Sequence, residues 1–172
     1  MNHASATSRS SRRLRRLLAG TVGTLAVLAA TSCSGSDTET VTVAHGKVPA
    51  PTLVDVGTEG NSVGDQRIFR FDGDADGTVV HMDWIMTTTA LSTPEPGVES
   101  RVTSAVFAFG GLDDTILLQG TGLYPEKAST FKVSSTLVRS IIGGTGKYRG
   151  AAGWVESTNN ADGTWTHVFH II

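Results

Sequence analysis

Cysteine is almost absent from this chain: of 172 residues, Cys33 alone is one. An intramolecular disulfide is excluded, and so is a zinc site closed by cysteines. Basic charge is also scarce. Lys and Arg number 14 against 16 Asp and Glu, with a net charge of −2, so no cationic excess exists for gripping nucleic-acid phosphates. Charged residues make up only 17% and aromatics 6%, which argues against a charge-laced helical bundle. No uncharged apolar run reaches the roughly 20 residues of a membrane-spanning helix. Glycine is what the chain has in quantity, 20 of 172, and glycine-rich turns suit an all-β protein.

The charge is uneven along the chain. Arg9, Arg12, Arg13, Arg15 and Arg16 all precede residue 33, and no acidic residue does. They are followed by an uncharged apolar run, 17–30, too short to span a bilayer and of the length of a signal-peptide core. Ala30-Thr31-Ser32-Cys33 then resembles a bacterial lipobox, with Ala where Leu is usual three positions before the cysteine. The expectation is a signal peptide over 1–32, a lipid on Cys33, a polar tether over 33–40 and a folded domain over 41–172. The protein would be exported, and either held at the outer face of the membrane by that lipid or secreted. Without residues 1–32 the chain has nine basic against sixteen acidic residues, a net −7. Such a surface repels nucleic acid and anionic lipid, so membrane contact would come only through Cys33.

From residue 40 onward, short runs of alternating polarity are separated by turn chemistry. Strands are expected over 40–45, 66–72, 78–88, 101–109, 115–122, 130–142, 151–157 and 164–171. The breaks carry Asp76-Gly77, Pro94 to Gly97, Gly110 to Asp114, Gly143 to Gly146 and Asp162-Gly163. Eight strands with hairpin-length links predict a closed eight-stranded antiparallel β-barrel, because closure removes exposed edges. Alternation assigns the inward side chains: Phe69 and Phe71, then Met82, Trp84 and Met86, then Phe107 and Phe109, then Trp165, His167 and Phe169. Inward residues of such a barrel either fill it or line a cavity for one small ligand.

The second half also resembles a known family. Phe107-Ala-Phe-Gly-Gly, Leu117-Leu-Gln-Gly-Thr-Gly-Leu-Tyr124 and Ile141-Ile-Gly-Gly-Thr-Gly-Lys-Tyr-Arg-Gly-Ala-Ala-Gly153 look like the allene oxide cyclase barrel family and the dirigent proteins that share its fold. That resemblance implies an elongated apolar pocket in which polyene-like, polyketide-like or phenolic molecules are folded for cyclisation or coupling. Position by position it implies pocket roles for Phe69, Phe107, Phe109 and Tyr124. The plant enzymes' Glu and Asn on the first strand and Cys on the third fall near Thr42, Ala44 and Val79 here, so allene oxide cyclisation itself is not expected.

Other motifs are weaker. Gly143-Gly144-Thr145-Gly146-Lys147 lacks both the spacing and the following helix of a phosphate loop, and is read as a tight turn. Asp72, Asp74 and Asp76 occupy positions 1, 3 and 5 of a calcium loop, but both flanks read as strands, so an acidic hairpin turn is preferred. The histidines are not spaced for a shared metal, and no metal or other cofactor is expected. His167 alone shares the inward parity of two aromatics. Tyr124, Gln119 and His167 are the candidates for a polar catalytic group, and Arg67 and Glu156 are expected in water, or paired if buried. The expected function is a cyclase or isomerase needing neither nucleophile nor metal. The alternatives are a non-catalytic lipoprotein that binds a small apolar ligand, and a dirigent-like stereochemical auxiliary. Self-association is left open.

Overall fold

The computed structural model describes residues 38–172. The expected signal segment, Cys33 and most of the tether lie outside the described residues. Among the described residues there are nine strands: β1 (Glu39–His45), β2 (Thr52–Val54), β3 (Gln66–Ala75), β4 (Thr78–Ala90), β5 (Val98–Phe109), β6 (Thr115–Pro125), β7 (Ser135–Gly144), β8 (Gly153–Asn159) and β9 (Trp165–Ile171). All pair antiparallel, in the order β1-β9-β8-β7-β6-β5-β4-β3-β2, and a β1–β3 pairing closes the ring. Eight strands form the barrel. The ninth, β2, lies beside the start of β3 and carries only exposed side chains, so nothing in its polarity pattern announced it.

Hairpin geometry follows the local sequence. Asp76 and Gly77 take φ of 49° and 82°, the two left-handed residues of the tight turn that fits the strands' twist. Asp74 stabilises that corner by accepting from the Gly77 amide at 3.1 Å. The acidic triplet is thus a hairpin, and Asp72 faces His81 at 2.7 Å on the outer surface. The seventh strand starts at Ser135, later than its residue pattern suggested. Ser134 is left-handed at φ 58°, and the stretch before it turns Phe131 into the barrel.

Closure depends on one small residue. A Cβ on Gly73 would lie 2.9 Å from the Ala44 carbonyl and 2.9 Å from Met82 Cε, so glycine is what lets the β1 backbone approach β3. The closure is brief. Ala44 pairs with Asp74, and β2 pairs with Gln66 to Ile68, which leaves residues 69–73 without a strand partner on that side. The chain crosses this seam at 46–51.

One end of the barrel is sealed by the Gly-Gly-Thr-Gly-Lys-Tyr stretch. Residues Gly146–Tyr148 form a 3-10 turn that tucks Tyr148 against Phe109, with ring centroids 4.8 Å apart. Thr145 Oγ1 donates to the Asp113 carbonyl, and the Lys147 amide donates to Asp114 Oδ1 at 2.9 Å. The amide that a phosphate loop would offer its ligand is used internally. Above this seal Val43, Met82, Phe107, Ile116, Val155 and Phe169 pack as a solid core with 0% exposure.

Candidate functional site

The site occupies the other half of the lumen. His45, Val48, Phe69 and Phe71 stand along the seam, with Trp84 and Met86 from β4, Arg139 from β7, Trp165 and His167 from β9, and Thr130 and Phe131 from the β6–β7 loop. Aromatic and aliphatic side chains make up most of the wall, with His45, Thr130, Arg139 and His167 as its polar members. His45 lies nearly parallel to Trp165 (6°, centroids 6.0 Å) and close to parallel with His167 (20°, 5.1 Å). Phe131 closes over Trp165 at 4.8 Å. The free space among these rings is about 20 Å³, room for one water molecule. A larger guest therefore requires wall side chains to move. The nearest to hand are Val48 and Phe71 at the seam and Phe131 on its loop.

The expected site residues divide. Phe69, Phe71, Trp84, Trp165 and His167 line the chamber, whereas Met82, Phe107, Phe109 and Phe169 fill the barrel below it. Gln119 is corrected: it is exposed on the outer face, beside Ser104, and cannot meet a guest. Tyr124 is fully buried behind the chamber, where its hydroxyl accepts from Arg139 Nη2 at 2.7 Å and lies 3.2 Å from Thr103 Oγ1. Glu156 stands on the outside near His170 (3.8 Å). Arg67, expected in water, is buried. Its partner is Glu99, 3.2 Å away.

Glu99 is the hub of a buried charge cluster that the sequence reading missed. Its Oε1 meets Arg101 Nη2 at 2.5 Å and Nε at 2.6 Å, and Asn61 donates to its other oxygen. Arg101 also donates to the Ala128 carbonyl at 2.6 Å, latching the β6–β7 loop. Its guanidinium lies 4.6 Å over the Tyr124 ring. Burial, and next the charge of Arg67, push the Arg101 guanidinium below its ordinary range. Asp65 is bound by the amides of Val56 and Ser62, which hold its carboxyl low.

Arg139 reaches the lumen because β6 is glycine there: a Cβ on Gly120 would lie 3.0 Å from Arg139 Cγ. Arg139 is 2% exposed, and its guanidinium sits 5.3 Å from the centre of the Trp84 ring. Beyond the bond to Tyr124, its Nε and Nη1 have no partner among the described residues, and neither does Trp84 Nε1. No carboxylate lies within ion-pair distance of Arg139 among the described residues.

The two chamber histidines form a directed relay. Gly46 offers a carbonyl, which only accepts, so His45 Nδ1 must donate there (2.7 Å) and its Nε2 is an acceptor. His167 Nε2, 3.0 Å away, donates to it, and Ser157 Oγ, 2.9 Å from His167 Nδ1, supplies the last proton. The chain is fully satisfied with both rings neutral. Burial lowers the affinity of both for protons. For His167 the neighbouring His45 and Arg139 add to that effect. Among the described residues no group of three His, Cys, Asp or Glu side chains is placed to hold a metal.

No family model matches the chain, and no curated protein matches it. Among solved structures it is similar to pyocyanin demethylase, with a TM-score of 0.57 and 20% identity over 79% of this chain and 100% of that chain. At that identity the likeness is one of fold.

Proposed function

We propose that this barrel takes a small, flat, unsaturated molecule into the upper chamber and isomerises or cyclises it. The observation that carries this reading is the aromatic chamber itself: near-parallel rings from β1 and β9, a filled barrel beneath, and a seam at one side for entry. Flat rings held between stacked aromatics lose orientational freedom before any barrier is crossed, which accelerates unimolecular closures. The His45–His167 pair at the wall is neutral and internally hydrogen-bonded, so it lends the chamber flat ring faces without a charge. The resemblance to allene oxide cyclase barrels favours ring closure, and the name of the solved neighbour attaches an enzyme activity to a similar fold. Neither transfers a site residue.

A second reading is a carrier held outside the cell by a lipid on Cys33. The arginine-rich start and the lipobox-like stretch favour it. Both readings require the same pocket. The neutral dye N-phenyl-1-naphthylamine is expected to bind saturably, with a fluorescence rise. Phe71→Glu, a charge placed on a partly buried wall position, is expected to weaken that binding at least about tenfold. A native chain that shows no saturable rise sinks both readings.

A further inference from the structure

The lumen carries more buried positive than negative charge. Arg67, Arg101 and Arg139 are buried, against Glu99 and Asp65. Glu99 is shared between Arg67 and Arg101, and Asp65 is held by loop amides. Arg139 is left with a phenol oxygen on one side and an indole face on another. A buried guanidinium without a counter-charge is costly, and an unmade hydrogen bond at each remaining donor adds to the cost. Arg139 and Trp84 both line the chamber, and Trp84 Nε1 is a third buried donor without a partner among the described residues.

We infer that Arg139 is an anion anchor, and that the guest of the chamber is a flat aromatic or conjugated molecule bearing a carboxylate or phenolate. The ring lies among Trp165, His45 and Phe131, and the anionic oxygens meet Arg139 and Trp84. Tyr124 and Gly120 are positioning residues: the hydroxyl fixes one Nη of the fork, and the missing Cβ clears its path. The apolar surroundings make this single contact selective, because a neutral analogue leaves the guanidinium unpaired. The inference rests on the chamber being a ligand site, and it adds the chemical class.

The test uses the full chain and matched probes: benzoate against benzyl alcohol, and 2-naphthoate against 2-naphthylmethanol, by titration calorimetry at pH 8. Each acid is expected to bind at least about tenfold more tightly than its alcohol, the strength of a desolvated charge-assisted hydrogen bond. Arg139→Gln is expected to erase that preference, so that the acid and alcohol of each pair bind within about twofold of one another. If that variant does not fold, Arg139→Lys keeps the charge without the fork and is expected to retain a reduced preference. Equal binding of acid and alcohol by the native chain overturns the anchor and leaves the chamber standing. An undiminished preference in folded Arg139→Gln also overturns it. Binding of none of the four overturns both the anchor and the reading it rests on.

Discussion

The single most informative side chain is His167. It is 1% exposed, hydrogen-bonded at both nitrogens, and held neutral by burial, with His45 and Arg139 opposing a further charge. In the unfolded chain it takes up a proton near pH 6.5. The folded value is lower, so the unfolded state binds more protons as pH falls through 6.5, and stability is lost on that side. His45 acts in the same direction. The urea midpoint is therefore expected to be flat above pH 7 and to fall as the pH drops below 6.5. His167→Gln is expected to lessen that fall. A midpoint unchanged between pH 8 and 5 contradicts the neutral pair. The parity of Trp165, His167 and Phe169 was readable in the sequence, and so was the inward direction of this imidazole. Its partner was not, because His45 lies 122 positions away and meets it only when β1 pairs with β9.

At the scale of the element, glycines decide where strands can approach one another. The Gln-Gly-Thr-Gly run of β6 leaves two inward positions bare, and Arg139 and Tyr124 use the space. Gly73 has the same role at the closing seam. Gly73→Ala puts a methyl 2.9 Å from the Ala44 carbonyl and is expected to destabilise the fold by about 1–3 kcal/mol. The loss should appear first as faster amide exchange in β1, measured by hydrogen–deuterium exchange. Equal exchange in β1 and β5 would mean that the seam is no weak point. The β6–β7 loop shows the limit of pattern reading. Residues 130–134 alternate well enough to pass for strand, yet Arg101, Asn159 and a left-handed Ser134 bend them over the chamber.

Over the whole molecule, the barrel is asymmetric along its axis. One half is packed solid and plugged by Tyr148; the other holds the narrow chamber, three buried arginines and the latched loop. Stability and binding should therefore separate. Tyr148→Ala removes the plug far from the chamber and is expected to cost about 2–4 kcal/mol in urea unfolding. The affinity for N-phenyl-1-naphthylamine should stay within about twofold, because dispersion contacts act only over ångströms. A large loss of affinity in a folded Tyr148→Ala would place the pocket at the plugged end instead.

The sequence by itself determined the eight barrel strands, the closure of the barrel and the inward side of the aromatics on β3, β4, β5 and β9; β2 and the late start of β7 were not in it. These follow from period-two alternation and glycine or aspartate corners, which are local. Only the tertiary structure decided that the lower aromatics fill the barrel while the upper ones bound a space. It also decided that Gln119 faces outward, and that Arg67 and Arg101 share Glu99 while Arg139 stands unpaired. The reason is physical. Parity fixes a side of the strand, but the depth at which a side chain sits depends on the stagger of strands around the ring. The partner of a buried charge is whichever group that stagger brings alongside it.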